Sequence, residues 1–108
     1  MTGMPLEDFL TPGEQIKFQS TGGVSYGNKL YQVILTDRRI LLYARRGMIS
    51  KSDDVVTAKL DELQGIKYSE QGLIGKKGII HIEGKTRMDL WGSALEMKTL
   101  YQQMMAFM

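Results

Sequence analysis

The chain contains one histidine and no cysteine, which already narrows its chemistry. Without thiols there can be no disulfide, Cys–zinc site, iron–sulfur cluster or thiol nucleophile. His81 stands in Ile79-Ile80-His81-Ile82-Glu83. On a strand it faces away from Ile80 and Ile82, so it reads as an outward imidazole with no Ser or Cys nucleophile evident beside it. A single imidazole does not make a His-based metal site or a multi-histidine mechanism. Asp53-Asp54 and Asp61-Glu62 are paired carboxylates by sequence, but adjacent strand residues point to opposite faces and make poor acid/base dyads. They read as turn and cap residues, and no ligand-rich spacing accompanies Asp53 and Asp54 for a divalent ion. Gly72-Leu73-Ile74-Gly75-Lys76-Lys77 superficially matches a phosphate loop. That motif needs four residues between its glycines and a Ser or Thr after the lysine; here there are two residues and a second lysine. The segment reads as a glycine-rich hairpin with two solvated lysines. No catalytic residue, metal ligand or cofactor is assigned, and the chain is expected not to be an enzyme.

Charge is nearly balanced, with 14 Lys+Arg against 12 Asp+Glu and a formal net charge of +2. Positive charge can therefore be concentrated only locally, in Arg38, Arg39, Arg45, Arg46 and Lys51 and again in Lys76, Lys77, Lys85 and Arg87. A nucleic-acid surface wants a basic face with stacking aromatics. Tyr26, Tyr31, Tyr43, Tyr68 and Trp91 are present, several of them at core positions, and nucleic acid is not the expected partner. The loop Arg45-Arg46-Gly47-Met48-Ile49-Ser50-Lys51 sets two apolar residues between cations. Arg45, Arg46, Met48, Ile49 and Lys51 are the candidate binding residues. Such a tip could enter an anionic leaflet, or Met48 and Ile49 could fold back over a neighbouring strand.

The elements that must position these residues read mostly as strands. The chain has 108 residues, 43% hydrophobic and 24% charged, which fits one globular domain. Its apolar runs are too short to span a bilayer, and no signal-peptide pattern opens it. A reducing, cytoplasmic setting is expected. Residues 1–13 form a lead-in ending at Thr11-Pro12-Gly13, and Leu6, Phe9 and Leu10 have the spacing of one helical turn capping an open end of the core. Residues 14–108 are the domain proper. Alternation places strands at Glu14–Ser20, Lys29–Thr36, Arg39–Arg45, Asp54–Leu60, Ile66–Ser69, Gly78–Glu83 and Thr86–Leu90. Tyr31, Val33, Leu35, Ile40, Leu42, Val56, Ala58, Leu60, Ile80, Ile82, Met88 and Leu90 face inward. Thr36-Asp37-Arg38 makes a tight polar turn, Gly84-Lys85 a two-residue hairpin turn, and Thr21 to Asn28 a flexible connection. About seven strands at roughly ten-residue spacing predict a barrel or sandwich. The period then changes: Met97, Leu100, Tyr101, Met104 and Phe107 recur at helical intervals. Ser93 and Glu96 have the spacing of a capping box. This helix would plug one end of a bent sheet.

Three segments carry a family resemblance. Val33-Ile34-Leu35-Thr36-Asp37-Arg38-Arg39-Ile40-Leu41-Leu42-Tyr43 resembles the leucine-threonine-x-x-arginine-hydrophobic hairpin of prokaryotic pleckstrin-homology-like (PH-like) domains and related GRAM and GLUE-type modules. Leu60-Asp61-Glu62-Leu63-Gln64-Gly65-Ile66 is similar to the step before their fifth strand, with Leu63 where many members carry Ile. Leu90-Trp91-Gly92-Ser93-Ala94-Leu95 resembles their last strand running into its helix. The resemblance spans residues 14 to 107. It implies a mainly β fold, a PH-like barrel of about seven antiparallel strands capped by one C-terminal helix, and a binding module rather than an enzyme. Thr36 and Arg39 are expected to hold the turn, Arg39 by pairing with a carboxylate or a free carbonyl. Relatives that bind phosphoinositides cluster cations on the first hairpin. Here Thr21 to Asn28 contains none and only Lys29 follows, so that motif is missing.

The expectation is a non-enzymatic module that engages a protein partner of unknown identity or a second copy of itself as a homo-oligomer. Strand edges that a partial barrel leaves open and surplus methionines on the helix, Met105 and Met108, favour this. The alternative is peripheral binding to an anionic membrane surface through residues 45–51.

Overall fold

The computed structural model describes residues 9–46 and 52–107, with the backbone alone for Arg45, Arg46, Ser52 and Asp53. In chain order the strands are β1 (Ile16–Gln19), β2 (Val24–Tyr26), β3 (Lys29–Thr36), β4 (Arg39–Arg46), β5 (Ser52–Lys59), β6 (Gly65–Gln71), β7 (Lys77–Glu83) and β8 (Met88–Ser93). A 3-10 turn, Leu60–Glu62, joins β5 to β6, and α1 (Ala94–Ala106) follows β8. The pairings are antiparallel, and the sheet runs β5-β4-β3-β2-β8-β7-β6, with β1 paired to β3. Among the described residues there are eight strands where about seven were expected, and β5 and β6 stand at the two ends of this order, so the sheet is not closed into a barrel.

The additional strand lies inside the connection expected to be flexible. Gly27 (φ 55°) and Asn28 (φ 70°) are both left-handed, and Tyr26 pairs with Lys29. Two positive-φ residues between paired strands make a type I′ hairpin turn, whose twist suits the flanking strands. β3 is long enough to serve two partners along one edge. Its first half pairs with β2 and its second half with β1. Ser20 manages the crossing between them. Its buried hydroxyl accepts the Val33 N–H at 3.0 Å and donates to the Gly22 carbonyl at 3.1 Å, standing in for a ladder partner where the chain changes direction.

One sheet face encloses the core expected from the alternation. Tyr31, Val33, Leu35, Ile40, Leu42, Ile80, Ile82, Met88 and Leu90 are buried there, with Val56, Ala58, Ile66 and Tyr68 packed against them. Val24, assigned to a loop by sequence, belongs to the same cluster. β3 and β4 are buried on both faces. Ile34, Leu41 and Tyr43 form a second cluster covered by Leu10 and Val55, and the Phe9 ring lies 6.1 Å from that of Tyr43. Phe9 and Leu10 thus cover this outer cluster rather than capping an open end of the main core. Leu6 lies outside the described residues.

The helix docks through a notch. Gly78 and Gly92 pair across β7 and β8, and Met97 lies over both. A Cβ at Gly78 would come within 2.8 Å of Met97 Cβ and 3.1 Å of Ala94 Cα; one at Gly92 would lie 2.7 Å from Met97 Sδ. With Met97 seated, Leu100 and Met104 are also buried. Ser93 caps the helix by accepting the Glu96 N–H at 3.4 Å. The reciprocal half of the capping box is not made. The Glu96 carboxylate instead accepts the Thr21 N–H and hydroxyl at 2.7 and 2.9 Å and the Gly22 N–H at 3.1 Å. It thereby ties the β1–β2 loop to the helix.

Both glycines should resist a methyl group, but unequally. Gly78→Ala must displace backbone, whereas Gly92→Ala meets the end of a flexible side chain. Overpacking typically costs about 1–3 kcal/mol. In urea unfolding, Gly78→Ala is expected near the top of that range and Gly92→Ala near the bottom. Equal or reversed losses would contradict the notch.

Candidate functional site

The hairpin that carries the resemblance is a structural knot. Thr36, fully buried, accepts the N–H groups of Arg38 and Arg39 at 3.1 and 3.0 Å and donates to Glu14 Oε2 at 2.5 Å. Arg39 grips the same carboxylate with Nε at 2.9 Å and Nη2 at 3.0 Å, and Nη2 also donates to the Phe9 carbonyl. The Thr11 N–H adds a further bond to Glu14 Oε1 at 2.8 Å. The Glu14 side chain has no exposed surface. Burial pushes its carboxyl up, but the Arg39 hydrogen bonds, the Thr36 hydroxyl, the Thr11 amide and the Arg39 charge outweigh this and hold it at about 2. Thr36 and Arg39 hold the turn, as expected; the partner carboxylate is supplied by Glu14, just before β1.

A polar line crosses the outer face of the second half of the sheet. Ser69, His81 and Asp89 lie on β6, β7 and β8 opposite the inward Tyr68, Ile80 and Leu90. His81 Nδ1 is 2.8 Å from Asp89 Oδ1, and His81 Nε2 is 3.1 Å from Ser69 Oγ. Arg87 Nε lies 3.5 Å from the same Asp89 oxygen. The hydrogen bond from His81, against a smaller opposing effect of burial and with help from the Arg87 charge, holds the Asp89 carboxyl below its usual range. His81 is outward, as the alternation requires, but it is not alone. A carboxylate, imidazole and hydroxyl in that order occur in acyl-transfer sites. Such chemistry also needs donors aimed at a developing oxyanion and exclusion of water. Here the His81 and Asp89 side chains are 22% and 43% exposed on an open sheet face. The arrangement acts as a set of cross-strand bonds fixing the register of β6, β7 and β8.

Of the candidate residues from the sequence, the structure describes only the backbone of Arg45 and Arg46. Arg45 and Arg46 end β4, with backbone partners Asp53 and Ser52; Met48, Ile49 and Lys51 lie outside the described residues.

The concavities sit elsewhere. One of about 830 Å³ lies between the Asp37–Arg39 turn, the Leu60–Glu62 connection and Phe107. A second, of about 310 Å³, is lined by β5 residues Val56 to Lys59, by Leu63 and Met88, and by the Gly84–Thr86 turn. The two share Lys59 and Leu63, so they form one trough running past the unpaired edge of β5. Leu60, Leu63 and Phe107 give the larger concavity apolar lining, and Tyr26, Val56 and Met88 the smaller. Arg38, Lys59 and Lys85 are interspersed with Asp37, Asp61 and Glu62. The sequence signal for this trough was indirect: Leu63 falls between the 3-10 turn and β6, outside any strand alternation.

No family model matches the chain, and no curated protein does. Among solved structures, the pleckstrin homology domain from Shewanella amazonensis SB2B is similar over 94% of this chain and 90% of that one, at 10% sequence identity and a TM-score of 0.64. At that identity the likeness concerns the fold, which is PH-like: a bent antiparallel sheet with one C-terminal helix.

The Glu14 site gives a pH signature. A carboxyl depressed from 4.5 to about 2 contributes stability that is fully present above pH 4.5. That contribution is lost as pH falls through about 2. It amounts to about 3 kcal/mol at roughly 1.4 kcal/mol per unit. Glu14→Gln should lower stability at neutral pH and flatten the stability–pH curve between those limits, measured by urea unfolding at a series of pH values. An unchanged acid limb would count against the depressed carboxyl.

Proposed function

We propose that the domain is a non-enzymatic binding module, working in the cytoplasm, whose working surface is the unpaired edge of β5 together with the trough beside it. The observation that supports this most directly is the open strand order. Among the described residues, β5 pairs with β4 on one side and with no strand on the other. An exposed edge offers backbone N–H and C=O groups at regular spacing, and an extended segment of another polypeptide satisfies them by adding a strand. Main-chain bonds then supply affinity, while pockets for alternate side chains supply selectivity. The trough provides such pockets. Its apolar residues, Val56, Leu63 and Met88 among them, can receive side chains on one face of the added strand. Its mixed charges favour a polypeptide over a polyanion.

A second copy of this chain is the partner that can be tested directly. Light scattering across a wide concentration range should show a mass rising toward that of a dimer. Hydrogen exchange should show slowing at alternate β5 amides as the dimer forms. A mass constant at the monomer value, with β5 exchange independent of concentration, would remove self-association. Slowing confined to other elements would remove the β5 edge.

A further inference from the structure

The β6–β7 hairpin carries a feature that the strand-edge reading does not use. Its apex is built from Leu73 and Ile74, 99% and 96% exposed. Gly72 (φ 106°) and Gly75 (φ 63°) flank them in conformations that side-chain-bearing residues rarely adopt, so the turn holds the pair outward. The base of the hairpin meets the start of α1: Lys77 pairs with Ser93, and the Ala94 N–H donates to the Lys76 carbonyl at 3.3 Å. Leu95, 78% exposed, follows immediately. Lys76, Lys77 and Lys98 surround this base. Lys76 and Lys98 reach Glu70 at 3.8 and 3.0 Å, and Lys77 has no carboxylate partner among the described residues. The two carboxylates in this region are both engaged, Glu70 by those lysines and by the Tyr68 hydroxyl at 2.8 Å, Glu96 by the loop at Thr21 and Gly22.

Two adjacent large apolar side chains at a convex apex have no neighbours to cover them among the described residues. A fluid interface accepts such a projection without a preformed pocket. The spacing fits that solvent. Lys76 and Lys77 follow Ile74 by two and three residues, at most about 10 Å of chain and less where it folds at Gly75, within the roughly 5–10 Å to which apolar faces sink at the headgroup–acyl boundary. With the apex at that depth, the lysines at the base stand at the level of lipid phosphates, where cations are attracted to an anionic leaflet.

We propose that the β6–β7 hairpin is a membrane-insertion tip, in which Leu73 and Ile74 enter an anionic leaflet and Lys76, Lys77 and Lys98 contact its phosphates. The tip is separate from the β5 edge, so it stands or falls independently of strand addition.

The test is cosedimentation of the full chain with vesicles of phosphatidylcholine, with and without phosphatidylglycerol. Binding is expected to the mixed vesicles at low ionic strength, to be at least about tenfold weaker to phosphatidylcholine alone, and to fall with added salt. Leu73→Ser/Ile74→Ser should weaken it by about tenfold or more, and Lys77→Gln by about fivefold. These residues are exposed, so folding is not at stake. A Leu73→Trp probe in a Trp91→Phe background should shift its emission to shorter wavelength on binding. Absence of binding at low salt would overturn the proposal, as would undiminished binding by the double-serine variant or unshifted emission from bound protein. If the double-serine change instead abolishes association between protein copies and leaves vesicle binding intact, the tip is a protein contact and the proposal fails.

Discussion

The helix can approach the sheet only because two glycines face each other across β7 and β8. Any side chain at Gly78 would meet Met97 Cβ and the backbone at Ala94. The approach of α1 is therefore set by the absence of two methyl groups. Close approach lets Leu100 and Met104 reach the core, brings the Ala94 carbonyl within 3.3 Å of the Tyr68 hydroxyl and places Glu96 beneath the β1–β2 loop. One docking event thus ties β6, β7, β8 and the β1–β2 crossing to the same helix. Burial, with the hydrogen bond and charge of Glu70, pushes the Tyr68 hydroxyl up to about 12.

The other end is organised by charge. Glu14, Thr36 and Arg39 put a buried carboxylate, a buried hydroxyl and a guanidinium at the junction of β1, the β3–β4 turn and the lead-in. A buried ion pair is weak evidence for net stability, because desolvation offsets much of the Coulomb attraction. Beyond the pH-dependent contribution of Glu14, its effect here is geometric. The fork of Arg39 fixes the direction of the segment that carries Leu10 onto the outer cluster, so β3 and β4 are covered on both faces. Neither device involves the outer side of β5, which pairs with no strand among the described residues.

Most of the strands were legible because a half-buried sheet imposes a strict two-residue rhythm, and the inward residues from Tyr31 to Leu90 obey it. β2 was missed because three residues are too few to display alternation, although Gly27-Asn28 between Tyr26 and Lys29 is itself a hairpin signal. The β7–β8 turn shows a subtler failure. A two-residue turn at Gly84-Lys85 pairs Glu83 with Thr86 and sets His81 opposite Met88. The observed register pairs Ile82 with Met88 and His81 with Asp89. A slip of one residue changes which face every partner occupies. The inward assignments of Ile82 and Met88 already demanded the longer connection, so the information was present but was not carried across the turn. The partners of His81 were therefore hidden by register, not by composition.

Surface function was less legible for a related reason: periodicity reports what is buried, and a tip or an edge is defined by what is not. Leu73 and Ile74 look like ordinary strand or loop residues until their exposure is known, and Leu63 becomes a trough residue only when the 3-10 turn carries β5 and β6 apart. The Ser69–His81–Asp89 line is a useful contrast. Its residue types invite a chemical reading, yet each bond spans neighbouring strands on an open face, where water competes for the same groups and electrostatic stabilisation of a reacting centre is weak. Exposed apolar side chains at the β6–β7 apex incur a cost in water, whereas backbone groups on the outer side of β5 are solvated and gain only modestly by exchanging water for a partner's groups. On the readings proposed above, those surfaces, rather than groups already satisfied within the fold, are where association would lower the free energy.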